Sequence, residues 1–319
     1  MFGKFNIFFK KPVLMLRDDS GVSVIFGALL LLAIFAVFLS AFLITAIPAK
    51  IMSDESAGND LLLSEILQFS ESEALSGNTV FHSGYSTVQI AEGGEIMFAA
   101  NISIPPETES FLKSDYSFDS SLNPFSNPSS GSAGDFALYK LSSGSLLFSC
   151  RYSQIPDRFY SFGDSSLLLI QEGGSSFLKP PAVRVWQNKD SKILFSMRGD
   201  VLHFPSSSSS SSSLSPSLVF SNLTTLNYRI IQTADVHDFV SEICIFYLPP
   251  ESDSFLNETA AAQKEKAFQD WLLKFENELN RDFPELKTES DFEKGMLVIS
   301  SDSLFEIDVT VREIEYVLS

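Results

Sequence analysis

Between Ser20 and Ala49 the chain carries no charged side chain, and from Val24 to Ile47 only Gly27, Ser40 and Thr45 interrupt an apolar run. No other feature of the sequence restricts the fold as tightly. The run is longer than the ~7–15 apolar residues of a cleaved secretory signal, so cleavage after Ala46-Ile47-Pro48-Ala49 is the weaker alternative. As a helix rising ~1.5 Å per residue it reaches roughly 36 Å, enough to cross a hydrocarbon core of about 30 Å with some tilt. It is therefore read as a single span through the lipid bilayer, over residues 22–48. Phe35, Phe38 and Phe42 share one face of that helix, as lipid-facing bulk or as a helix-contact stripe.

The flanks set its direction. Lys4, Lys10, Lys11 and Arg17 precede the span, with Asp18 and Asp19 beside it, and Lys50, Asp54 and Glu55 follow it. The basic side stays inside, which predicts a cytoplasmic N-terminus and an extracellular remainder. That remainder is strongly acidic: the whole chain has 22 basic against 40 acidic side chains, a net charge of −18. Such a balance excludes broad electrostatic attraction to nucleic acid.

The junction Arg17-Asp-Asp-Ser-Gly21, followed by Val22-Ser-Val-Ile-Phe-Gly27 and the apolar helix, resembles the class III signal of archaeal type IV pilins and pilin-like proteins. The proline that often stands third after the cut in that family is replaced here by Val24. The resemblance implies that a prepilin-type leader peptidase cuts between Gly21 and Val22 on the cytoplasmic side. It also implies that the apolar segment is retained as an anchor, and that other pilin-like subunits are partners in a filament. The order of the outer elements is similar to that of archaeal membrane-anchored pilin-like proteins: a Gly-Gly hairpin, the Pro180-Pro181 pair, an aromatic helix and a final strand.

Four segments follow: a leader over 1–21, the anchor over 22–48, a helical stalk over 49–76, and a β-rich extracellular domain over 77–319. Leu61, Leu62, Leu63, Ile66 and Leu67 give the stalk its apolar face, and Pro48 is expected to end or kink the helix before it. From Val80 the hydrophobic period shifts to two. Strands are predicted over 86–91, 96–104, 136–141, 145–152, 166–171, 182–187, 193–197 and 228–233, with a hairpin at Glu92-Gly93-Gly94-Glu95. Phe268, Trp271, Leu272, Phe275 and Leu279 predict a helix over 258–280. Residues 295–300 and 304–318 read as a closing hairpin around Ser301-Asp302-Ser303, with Phe305, Ile307, Val309 and Val311 on one side. The fold class is thus α+β: one transmembrane helix, then a mainly-β, antiparallel, sandwich-like domain with one helix in its C-terminal region. Residues 115–135 and the Ser-rich stretch 205–216 are read as loops.

No catalytic constellation emerges. His82, His203 and His237 lack partners at metal-ligand spacing, Asp235-Val-His237-Asp238 being the nearest cluster. Gly93-Gly94 and Gly173-Gly174 lack the lysine of a phosphate loop, and no serine sits in a Gly-x-Ser-x-Gly elbow. The expectation is a non-enzymatic protein with no metal and no cofactor. Cys150 and Cys244 fit either a cross-strand or inter-sheet disulfide or two buried thiols. N-glycan acceptor triplets begin at Asn101, Asn222 and Asn257. The sequence therefore points to a minor pilin-like surface or adhesion subunit, with a permanently tethered binding module that does not polymerise as the alternative.

Overall fold

The computed structural model describes residues 19–71, 76–82, 86–102, 104, 106–113, 136–163, 166–189, 192–203, 223–249 and 258–318. Its two compact units are Met1–Asp54 and Glu55–Ser319. The leader up to residue 18, the loop over 115–135 and the Ser-rich stretch 205–216 lie outside the described residues.

In the first unit, helix α1 (Asp19–Glu71) supplies the described residues. None of its most apolar window is buried, and large side chains such as Leu30, Phe35, Phe38 and Ile44 are exposed. By length and composition this helix is long and apolar enough to cross a membrane. Thr45 returns its hydroxyl proton to the carbonyl of Ala41 at 2.8 Å, so this polar residue asks nothing of its surroundings. Pro48 lies inside α1 and not at its end, at the cost of one backbone hydrogen bond.

The second unit begins with residues 55–71 of α1 and continues as β1 (Ser76–Phe81), β2 (Ser86–Ala100), α2 (Pro106–Leu112), β3 (Ala137–Cys150), β4 (Arg158–Gly163), β5 (Ser166–Gln171), β6 (Gly174–Lys179), β7 (Ala182–Gln187), β8 (Ile193–His203), β9 (Thr224–Leu248), α3 (Glu258–Asp282), β10 (Lys287–Asp291) and β11 (Met296–Leu318). Among the described residues 11 strands join one sheet in the order β6-β5-β4-β3-β2-β9-β11-β8-β7, with β1 beside β9 and β10 beside β11. A further bridge, Ser143 to Val201, links β3 to β8 and closes β3, β2, β9, β11 and β8 into a ring. The expected antiparallel sandwich is corrected on two counts: there is one sheet rather than two, and β8 runs parallel to β11. A parallel neighbour needs a long crossover, and β9, α3 and β10 intervene between β8 and β11.

Three interruptions that read as turns are irregularities inside long strands. β2 runs through Glu92-Gly93-Gly94-Glu95, with its register against β3 shifting between Ala91 and Glu95. β3 runs through Gly144, at φ 76°, and β11 runs through Ser301-Asp302-Ser303 with both halves paired to β9. An extra residue or a left-handed glycine bends a strand without reversing it.

Alternation along β3 shows how the core is divided. Leu146, Phe148 and Cys150 join a cluster with Leu62, Ile66 and Phe69 of α1, whereas Leu147 packs with Leu168, Ile170 and Ala267 of α3. Neighbouring residues of a strand face opposite ways, so the α1 segment and α3 cover opposite faces of the β3–β5 region. Further along the sheet, Phe268, Leu272, Phe275 and Leu279 of α3 pack with Phe195, Ile243, Ile245, Phe305, Ile307, Val309 and Val311. The expected stripe on the last strand is therefore buried.

Candidate functional site

The leader junction is the first place where sequence suggests chemistry. Gly21 and Val22 lie in the opening turns of α1.

The second is the seat of the α1 segment. Glu55 is 1% exposed, and its carboxylate accepts four hydrogen bonds: from Ser153 N and Oγ, both 2.7 Å, Gln154 N at 2.9 Å and Ile155 N at 3.3 Å. Burial pushes its pKa up, but the hydrogen bonds from Ser153, Gln154 and Ile155 outweigh it and hold the carboxyl below the usual range. One turn on, Asn59 Oδ1 accepts from the hydroxyls of Tyr152 at 3.0 Å and Tyr160 at 2.8 Å. Toward the end of α1, Lys179 donates to the carbonyl of Ser70 at 2.7 Å, a cation at the helix terminus that favours it. Glu65 accepts the backbone N–H of His82 at 2.8 Å and also meets its Nδ1.

The third is a cleft of about 450 Å³ between β7 and α3. Pro180, Pro181, Trp186, Trp271, Phe275 and Phe283 make it aromatic and proline-rich, with Arg184, Lys274, Glu278 and Asp282 at its rim. Trp271 and Phe275 stack with ring centroids 5.5 Å apart and planes 8° from parallel. The chain has 2 tryptophans, and both line this cleft. Sequence reasoning missed it because Trp186 and Trp271 belong to distant elements. The legible signal was Pro180-Pro181 immediately ahead of a strand, the place where an edge strand tolerates proline.

The other sequence-predicted residues are dispersed. Asp235 and His237 do share an exposed face of β9, where Asp235 accepts from Thr310 Oγ1 at 2.8 Å and His237 Nδ1 lies 3.5 Å from Asp308. Among the described residues no group of three or more His, Cys, Asp or Glu side chains is placed to hold a metal ion. Asn101 is exposed just past β2, whereas Asn222 and Asn257 lie outside the described residues.

The disulfide reading is corrected. Both cysteines are buried and free. Cys150 pairs opposite Ser86 and Cys244 opposite Ala99, at the two ends of β2. Thirteen residue steps at ~3.3 Å put tens of ångströms between them, far beyond the ~7 Å limit for Cα atoms of a disulfide. Burial pushes the Cys150 thiol up to about 12 and raises that of Cys244 as well.

Comparison of the chain with protein-family models, with curated proteins and with solved structures found no match.

Proposed function

We propose that the chain is a non-enzymatic, membrane-anchored surface protein of pilin-like organisation, cut between Gly21 and Val22 and displaying its β-rich domain outside the cell as a minor filament subunit. The observation that carries this reading is α1. One helix supplies a charge-free segment whose apolar side chains are exposed among the described residues, and also residues 55–71, whose Leu62, Ile66 and Phe69 are core of the β-rich unit. A helix serving lipid at one end and a domain core at the other suits an anchor that is retained after processing. The basic leader fixes topology, and its removal leaves an apolar helix free to pack against copies of itself. The acidic outer region keeps such a domain soluble.

The test is the N-terminus of the mature protein, made in cells that contain a prepilin-type peptidase. A start at Val22, lost in a Gly21→Leu variant, supports the reading; an intact Met1 or a start after Ala49 overturns it. Shearing those cells then separates the two modes of display. Recovery in the sheared filament fraction supports polymerisation. Recovery only with membranes favours the second reading, a permanently tethered binding module, for which the β7–α3 cleft is the supporting observation.

A further inference from the structure

We infer that the β7–α3 cleft accepts an extended peptide segment as an added strand on β7, and that this segment alternates apolar with acidic side chains. The inference holds whether or not the anchored chain polymerises.

The cleft is lined by Val183, Arg184, Val185 and Trp186, which are consecutive. Consecutive residues of a strand face opposite ways, so a cleft that touches all four must run along the strand's edge rather than over one face. Among the described residues no strand lies beyond that edge: β7 is the last strand in the sheet order and pairs with β8. The hydrogen bond from Asn188 N to Lys192 O, 2.9 Å, sets the phase of this antiparallel pair. Pairs exchange hydrogen bonds alternately, so Arg184 and Trp186 bond across to β8 while Val183 and Val185 point outward; the Val183 N–H donates to the Pro181 carbonyl at 2.8 Å, which leaves the N–H and C=O of Val185 for a guest. An outward backbone donor and acceptor beside aromatic walls is what strand addition uses.

Side-chain chemistry on the two faces then defines the guest. Val183 and Val185 share the face that packs with the α3 residues Phe275 and Leu279, so guest side chains on that face must be apolar. Arg184 and Trp186 stand exposed on the other face, and the same hairpin carries exposed Lys189 and Lys192. On this face Arg184, with Lys189 beyond the strand's end, is complementary to acidic side chains, whereas Glu278 and Asp282 belong to the α3 wall that the guest's apolar side chains meet. A guest strand presents alternate residues to the two faces, which yields the apolar–acidic alternation.

Because both tryptophans line the cleft, their intrinsic fluorescence reports its occupancy. The full chain in detergent would be titrated with the peptide Ac-Val-Glu-Val-Glu-Val-Glu-amide, with its alternately N-methylated analogue, and with a neutral glucan hexasaccharide. The inference expects a saturable shift with the first peptide only. It also expects a loss of about tenfold in affinity in Val185→Pro, which removes the outward donor while sparing the bonds to β8. Arg184→Glu should weaken this peptide and strengthen Ac-Val-Lys-Val-Lys-Val-Lys-amide. Equal binding of the N-methylated peptide overturns strand addition without any variant having to fold. So does no shift with the parent peptide, unchanged affinity in a Val185→Pro chain of native circular dichroism, or a shift with the hexasaccharide that the peptide does not compete.

Discussion

Gly199 shows how narrowly single residues decide this fold. A Cβ at that position would sit 1.7 Å from the carbonyl oxygen of Leu141, where β8 passes against β3 at the closure of the ring. Backbone cannot yield as a flexible side chain can, so Gly199→Ala is expected to destabilise by about 3 kcal/mol or more, read from denaturant midpoints. Beside it, Arg312 forks onto Asp200 at 2.7 and 3.0 Å, with the two side chains only 14% and 3% exposed. Removing one partner strands a buried charge: Arg312→Met should cost about 3–5 kcal/mol, and adding Asp200→Leu to it should restore much of that. Glu55 makes a different prediction, because its carboxyl titrates lower in the folded chain than in the unfolded one. Its contribution is full above the unfolded value and fades as pH falls through the folded one. Glu55→Gln should therefore lower Tm at pH 7, and the difference from wild type should shrink as pH falls below about 4. A gap in Tm that widens on acidification would contradict this account.

At the scale of elements, residues 55–71 of α1 behave as part of the domain core. Phe69 meets the rings of Phe81, Phe162 and Tyr228 edge-on, at 5.8, 5.3 and 5.3 Å. Phe69→Ala is expected to cost about 3–5 kcal/mol. A chain shortened to begin after Glu71 should expose apolar surface and bind a hydrophobic dye, whereas one beginning ahead of Glu55 should not. Much of this scale was legible in the sequence. The charge-free run announced α1, β5 and β7 fall at their predicted bounds, and the spacing of Phe268, Leu272, Phe275 and Leu279 gave α3. What misled was punctuation. Gly93-Gly94, Gly144 and Ser301-Asp302-Ser303 suit a hairpin or a bulge equally well by local chemistry, and only long-range pairing with β9 and β3 selects the bulge. The same limit hid the cleft and the parallel β8–β11 pair, since both depend on which distant segments become neighbours.

For the whole molecule, the two cysteines offer a reading of how the sheet opens. Cys150 belongs to the cluster under the α1 segment, and Cys244 to another with Met97, Phe246 and Val298. Neither thiol should react with iodoacetamide in the native chain, and both should react after denaturation without reductant; failure of the second step would restore the disulfide. At intermediate denaturant, labelling of Cys150 before Cys244 would show the α1 side loosening first. The seat of α1 also bears on mechanics. A tether that ends in a slack linker lets a tugged domain swivel harmlessly, but here the pulled strand of polypeptide enters the interior at Glu55, where four hydrogen bonds and then Leu62, Ile66 and Phe69 take hold of it. In a chain anchored and displayed as proposed, drag on the domain would load its hydrophobic interior directly through this seat rather than through a flexible link.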